Sequence, residues 1–348
     1  MFRSARDLLE RAVAARAFPC AVAEVGNATG VTWREAVGAV TYEPGARRAD
    51  TATVFDLASL TKVLATSLSA MQAVDRGLLG LGDPASKHLP VLAVGHLATA
   101  SIEDLLAHTA GLPAWLPLYR GIRGVDPAID QIRHEPLAYR PGSTSVYSDL
   151  GFIVLGRLLE VARGRRLDLQ FEDVAQSLGL ADSIGFRPAR VRGVTFAPTE
   201  LDLAWRGRLL EGEVHDENAW ALGGVAGHSG LFGTAEAVGV LARHLLQVVG
   251  GRSGLVSTAT ARRFTTRRPG IPGSSRALGW DTMLPTSSCG RLMSPTAVGH
   301  TGFTGTSLWV DPERERYAVL LTNRVHPTRH NDGIQGVRMA FHEAVWAS

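Results

Sequence analysis

The chain is 348 residues long, 45% hydrophobic and 20% charged, a balance that excludes disordered and fibrous classes and predicts one large core or two joined ones. Basic residues (36) barely outnumber acidic ones (33), and the net charge of +3 is too small and scattered for a nucleic-acid footprint. Two cysteines, Cys20 and Cys289, exclude a disulfide framework and a cysteine-built zinc site and read as buried thiols.

Residues 1–16 spread their charges evenly and lack the apolar core of a signal peptide, and no run approaches 18 apolar residues, so the expectation is a cytoplasmic protein without a membrane span. Helical spacing of Leu8, Leu9, Val13 and Ala14 predicts a helix over 4–16. Strands over 18–25 and 31–40 follow, joined by a turn at 26–30, where the sequon at Asn27 reads as turn chemistry. An apolar stretch at 54–58 leads into a helix over 59–74 closed by Gly77. Helices are predicted at 101–107, 149–163, 169–177 and 235–249, and strands return at 279–284, 297–300, 306–311 and 317–322 before a final helix over 333–346. Strands at both ends with helices between predict an α+β protein: a discontinuous sheet domain (1–78 and 251–348), a mainly helical domain (79–250), and a groove between them.

Three short motifs carry the chemistry. Ser59-Leu60-Thr61-Lys62 falls at a strand-to-helix junction, placing a hydroxyl beside unpaired backbone amides and a lysine one turn later on the same face. Such a serine suits a nucleophile and such a lysine its base, provided that apolar neighbours such as Val63 and Leu64 desolvate the amine enough to free it of its proton near neutral pH. With 21 serines and only two lysines, Lys62 and Lys87, chance predicts about 0.1 occurrence of this spacing. Tyr147-Ser148-Asp149 precedes the helix at 149–163; a lysine nearby would favour the ionised phenol, so Tyr147 could share a proton with Ser59 and Lys62, while Asp149 caps the helix. His300-Thr301-Gly302 lies in a glycine-containing strand that could line a cleft and offer a main-chain N–H, that of Phe303, to a carbonyl oxygen.

In this order the motifs resemble those of the serine beta-lactamase and penicillin-binding-protein superfamily, nearest to its class C-like branch of esterases, D-stereospecific peptidases and related hydrolases. The stretches Leu105–Pro113, Val214–Ala219 and Gly223–Leu231 extend the likeness over most of the chain. The resemblance implies a beta-lactamase-like fold, with a mixed, mainly antiparallel sheet flanked by helices. It further implies a serine hydrolase acylated at Ser59, proton transfer by Lys62 and Tyr147, and an oxyanion hole from the N–H groups of Ser59 and Phe303, with Asp149, His300, Thr301 and Gly302 lining the substrate site. It calls for no metal or organic cofactor, and its partner is a small ester, amide or peptide; the oligomeric state stays open. The chain departs from the class C pattern at Asp149, where the family has asparagine, and at His300, where it has lysine. Both changes weaken the grip on a beta-lactam carboxylate and favour other esters and peptides. A beta-lactamase or D-alanyl carboxypeptidase is the alternative among enzymes, and a non-turnover acyl or peptidoglycan-fragment binder is the alternative outside them.

Other patterns carry less. Gly227-His228-Ser229-Gly230-Leu231 lacks the last glycine of a hydrolase elbow. His215, Asp216, Glu217 and His228 do not form a zinc signature and read as structural or cleft-lining. Pro327 separates His326 from His330, and no phosphate-binding glycine loop is present.

Overall fold

A computed structural model describes residues 2–187 and 195–348; Met1, where the charged amino-terminal stretch begins, lies outside them. The strands, in chain order, are β1 (Cys20–Asn27), β2 (Val31–Gly38), β3 (Phe55–Asp56), β4 (Ile184–Phe186), β5 (Leu201–Asp202), β6 (Arg208–Leu209), β7 (Leu231–Gly233), β8 (Asp281–Thr282), β9 (Val298–Thr301), β10 (Ser307–Asp311) and β11 (Arg316–Thr322). Six of them form one sheet in the order β2-β1-β11-β10-β9-β8, with every ladder antiparallel, while β3, β7 and β4 form a small second sheet. Among the described residues the sole parallel pairing is the isolated bridge Val54–Phe196. The fold class is α+β, as the sequence pattern predicts.

The central strands β1, β10 and β11 are buried at nearly every position because both faces of the sheet are covered. Tyr317, Val319 and Leu321 of β11 enter a core on one side, and Ala318 and Leu320 enter a core on the other, following the two-residue period of a strand. The helix Ala235–Val249 packs on the first face, against β1, β10 and β11, while Arg3–Ala14 and Ile334–Trp346 cover the second. Asn27 closes the first hairpin by accepting from the amides of Thr29 and Gly30 at 2.8 and 3.0 Å. Cys20 and Cys289 are buried and unpaired.

A third core lies among helices and contains the helix Asp149–Arg163, which is apolar nearly all round. The helix containing Lys62–Ser67 and Leu68–Asp75 joins the bodies: Val63 and Leu64 sit in the sheet's core, Ala70 and Met71 in the helical one. Its first segment is π-wound, a local widening often found at functional sites. Among the described residues, no helix is long and apolar enough to cross a membrane.

Candidate active site

β3 is followed by a sharp turn. Ala58 adopts a left-handed conformation (φ 47°), unfavourable for a residue with a side chain, and several bonds hold it there. Its N–H donates to the buried Asp56 carboxylate at 2.8 Å, and its carbonyl accepts the Thr61 hydroxyl at 2.7 Å. Asp56 also accepts the His215 amide at 2.7 Å, so the turn is anchored on a distant loop. Ser59 therefore leaves the turn immediately before the helix, and Lys62, one turn later, reaches back to it.

Lys62 Nζ is fully buried and donates to Ser59 Oγ at 3.0 Å, Asp149 Oδ1 at 2.7 Å and the His228 carbonyl at 3.0 Å. The Tyr147 hydroxyl donates to the same Ser59 oxygen at 2.8 Å. Four residues from three separate segments thus meet around one serine.

The electrostatics bear out one expectation, that an aspartate near Lys62 favours its charged form, and overturn two others, a lysine freed of its proton by burial and a phenol favoured in its ionised form. Burial alone would strip the proton from Lys62, as Val63 and Leu64 suggest, but the charge of Asp149, helped by Tyr147, outweighs it and holds the amine above the usual lysine value. Burial likewise outweighs the pull of Lys62 on Tyr147, so the phenol sits above its usual value rather than below. At rest the cluster is a cationic lysine, an anionic aspartate and a neutral phenol, with both proton carriers donating to Ser59. Taking a proton from Ser59 then requires that Lys62 or Tyr147 first lose one.

Two histidines frame the phenol. His108, at φ 57°, accepts the Ser148 amide on Nδ1 at 3.0 Å and packs its ring 4.8 Å from that of Tyr147. His300 bonds the Thr301 carbonyl through Nδ1 at 2.8 Å, which makes Nδ1 the protonated nitrogen and leaves Nε2 a buried acceptor without a partner. Both are held well below the usual histidine value, by burial first and by Lys62 and Arg276 next, and are neutral at pH 7.

A cavity of about 440 Å³ opens over Ser59 and Tyr147, with His300, Thr301, Gly302 and Phe303 along one wall. The structure brings the residues singled out in the sequence together: Ser59, Lys62, Tyr147 and Asp149 form the hydrogen-bonded cluster, and residues 300–303 line the same cavity. Gly302 fits because a Cβ there would lie 2.8 Å from the Leu57 carbonyl, so the strand edge lies directly on the turn before Ser59. Thr304 and Thr306 stitch the seam, donating to the carbonyls of Asp56 at 2.8 Å and Leu57 at 3.1 Å.

Sequence reasoning did not single out the arginines. Arg276, Arg324, Arg329 and Arg338 line the cavity together with Asp281 and Asp332, and Arg329 is also paired with Glu200 and Glu217, each at 2.6 Å. The Arg276 guanidinium lies 5.3 Å from the Tyr147 ring centre. The other polar motif, read from sequence as structural or cleft-lining, forms side-chain pairs. His228 Nε2 pairs with Asp216 at 2.9 Å, His215 with Glu200 at 3.0 Å, and Glu217 with Arg329 at 2.6 Å. The two histidine contacts are hydrogen bonds to carboxylates, the Glu217–Arg329 contact is an ion pair on the cavity wall, and no cluster among the described residues could hold a metal ion.

A family model described as Beta-lactamase matches residues 5–338. A protein of Escherichia coli K12 named "Putative D-alanyl-D-alanine carboxypeptidase" is 33% identical over 317 residues, spanning 80% of this chain and 71% of that protein. Among solved structures, EstCE1, a hydrolase with promiscuous acyltransferase activity, superposes with a TM-score of 0.78 at 23% identity over 99% of this chain and 98% of that one. The octameric penicillin-binding protein homologue from Pyrococcus abyssi superposes with a TM-score of 0.73 at 18% identity over 92% and 72% of the two chains.

Proposed function

The chain is a serine hydrolase of the beta-lactamase family, and from that footing we propose that it cleaves an ester, amide or peptide bond through an acyl-enzyme on Ser59. The observation that carries this reading is that one serine oxygen accepts from both Lys62 Nζ (3.0 Å) and Tyr147 Oη (2.8 Å) at the floor of an open cavity.

Once the cluster has lost one proton, Tyr147 or Lys62 accepts the hydroxyl proton as Ser59 Oγ attacks the substrate carbonyl carbon. The oxyanion is met by the N–H groups of Ser59 and Phe303, the latter on the edge stitched to the nucleophile's turn. Collapse breaks the scissile bond, and the captured proton passes to the leaving group. Water then attacks the acyl-enzyme by the same proton route and returns Ser59. Asp149 holds Lys62 in place and sets its charge, and His108 and His300 act as neutral walls.

A carboxypeptidase reading has specific support in Arg276, Arg324 and Arg338 of the cavity, which suit a substrate with a carboxylate on its leaving side, and in the name carried by the Escherichia coli relative. Wild type and Ser59→Ala would be compared on a neutral nitrophenyl ester, a chromogenic cephalosporin and a peptide ending in D-alanyl-D-alanine. Turnover of any of these that vanishes in the variant supports the hydrolase, and the preferred substrate separates esterase, lactamase and carboxypeptidase. Stoichiometric labelling without turnover would instead make the chain an acyl-binding protein.

A further inference from the structure

After β9 the chain folds over Gly302–Gly305, a four-residue turn closed by the Gly305 N–H on the Gly302 carbonyl at 3.1 Å. That carbonyl has a second donor. Arg338, on the C-terminal helix and 36 positions away, bonds it through Nη2 and bonds the Thr306 carbonyl through the same nitrogen at 3.0 Å. The Gly302 carbonyl and the Phe303 N–H belong to one peptide unit, and in a planar trans peptide the two point in opposite directions. With the carbonyl turned towards Arg338, the N–H is turned away from it, on the unit that lines the cavity shared with Ser59.

We propose that Arg338 is a positioning residue for the oxyanion hole: its guanidinium, bonded to the Gly302 carbonyl, polarises that peptide and fixes its plane, making the Phe303 N–H a stronger and better-aimed donor. This rests on the reading of Phe303 N–H as an oxyanion donor. Hydrogen bonds in a chain strengthen one another, and a charged donor at one end of an amide does so more than a neutral one. Arg338 is suited to the task. Its partners are carbonyls rather than carboxylates, so its charge is not spent on a counter-ion. Burial, and then the nearby Arg324, lower its pKa only to about 10, which leaves it cationic at neutral pH. Arg324 holds the next carbonyl along, that of Phe303, through Nε at 2.8 Å, so two successive carbonyls of the turn are held by guanidinium groups.

The same position would also serve for grasping a substrate anion, and the test separates the two roles. Arg338→Met, Arg338→Lys and Phe303→Pro are assayed on neutral p-nitrophenyl acetate and on anionic mono-p-nitrophenyl succinate. Rates are normalised to active sites titrated with a fluorophosphonate. The inhibition constant of phenylboronic acid, which forms a tetrahedral adduct with a serine, is measured for each. Arg338→Met is expected to lower kcat/KM on the neutral ester about tenfold and to weaken phenylboronic acid by a similar factor, with Arg338→Lys recovering at least a third of the logarithmic loss. An unchanged neutral-ester rate with loss only on the anionic ester overturns the proposal in favour of anion recognition. A loss that disappears on active-site normalisation overturns it in favour of a structural role. Phe303→Pro deletes the amide at a turn position that proline favours. Full activity and boronate affinity in that variant would overturn the oxyanion reading itself, whereas their loss beside a wild-type Arg338→Met overturns only the role of Arg338.

Discussion

Replacing Asp149 with asparagine isolates the interaction that sets the charge of the site. The side chain keeps its shape and an oxygen acceptor, but the 2.7 Å ion pair to Lys62 Nζ is gone, and the amine is fully buried. Leaving one member of a buried pair alone costs about 3–5 kcal/mol; Asp149 is slightly exposed and asparagine still accepts a bond, so about 2–4 kcal/mol is expected at pH 7. The lysine's escape is to shed its proton, which at pH 7 costs about 5 kcal/mol relative to the unfolded chain and at pH 10 only about 0.5. In the wild type the folded pKa is raised, so the lysine's contribution is complete below about pH 10.4 and is lost as pH climbs through the folded value. In the variant burial dominates and the folded pKa drops below the unfolded one. Between those two values the unfolded chain binds more protons, and stability rises with pH by up to about 1.4 kcal/mol per unit. Urea melts of both proteins at pH 7, 8.5 and 10 would show a gap that narrows as pH rises, and the onset of esterase activity would move to lower pH. A gap of equal size at pH 7 and pH 10, or no loss at pH 7, refutes the assignment of Asp149 as the residue that keeps Lys62 charged.

Three further outcomes are expected. His108 and His300 are held well below the usual histidine value and His342 to about 3, so below about pH 6.5 the unfolded chain takes up protons that the folded chain refuses. Stability should therefore fall with acidity by about 1.4 kcal/mol per pH unit for each histidine, about 6 kcal/mol in all by pH 5, and melts that stay flat from pH 7 to 5 would contradict this. Gly302→Ala would place a Cβ 2.8 Å from the Leu57 carbonyl and against the Thr306 hydroxyl, prising the strand edge off the nucleophile's turn. A loss of about 10²–10³ in kcat/KM is expected, comparable with deleting an oxyanion donor, and a wild-type rate would show that the edge does not hold the oxyanion. Asp216→Asn keeps a capping side chain for the helix Glu217–Ala221 but removes the charge paired with His228, whose carbonyl holds Lys62. Several-fold lower kcat with a displaced pH profile is expected, and an unchanged profile would separate this pair from the lysine.

Legibility from sequence followed the range of the interactions. The helix Asp149–Arg163 matches its predicted ends, because an acidic first turn and a left-handed Gly164 (φ 59°) mark them locally. β1 starts at Cys20 rather than at 18, since Pro19 has no N–H for the ladder. The helix Val125–His134 escaped notice because only Ala128, Ile129 and Ile132 are buried along it and Pro127 lies in its first turn. β4 and β7, three residues each, exist through pairing between distant segments, which periodicity cannot register.

The site divides in the same way. Ser59 and Lys62 stood out because lysine is so rare in this chain, and Tyr147 and Asp149 because no other tyrosine is followed by Ser-Asp, but the balance that sets the charge of Lys62 could not be weighed. Whether burial or Asp149 governs Lys62 depends on a contact between residues 87 positions apart. Arg276, Arg324, Arg329 and Arg338 were four among 34 arginines until the fold gathered them over one serine.

The most direct test of the central claim is the mass of the protein during turnover. Wild type mixed with a slowly deacylating p-nitrophenyl ester and quenched in acid should carry one acyl group per chain, mapped by peptide digestion to the segment containing Ser59. Ser59→Ala should show neither the adduct nor turnover. An adduct on another residue, or hydrolysis that persists in Ser59→Ala at the wild-type rate, would contradict the account.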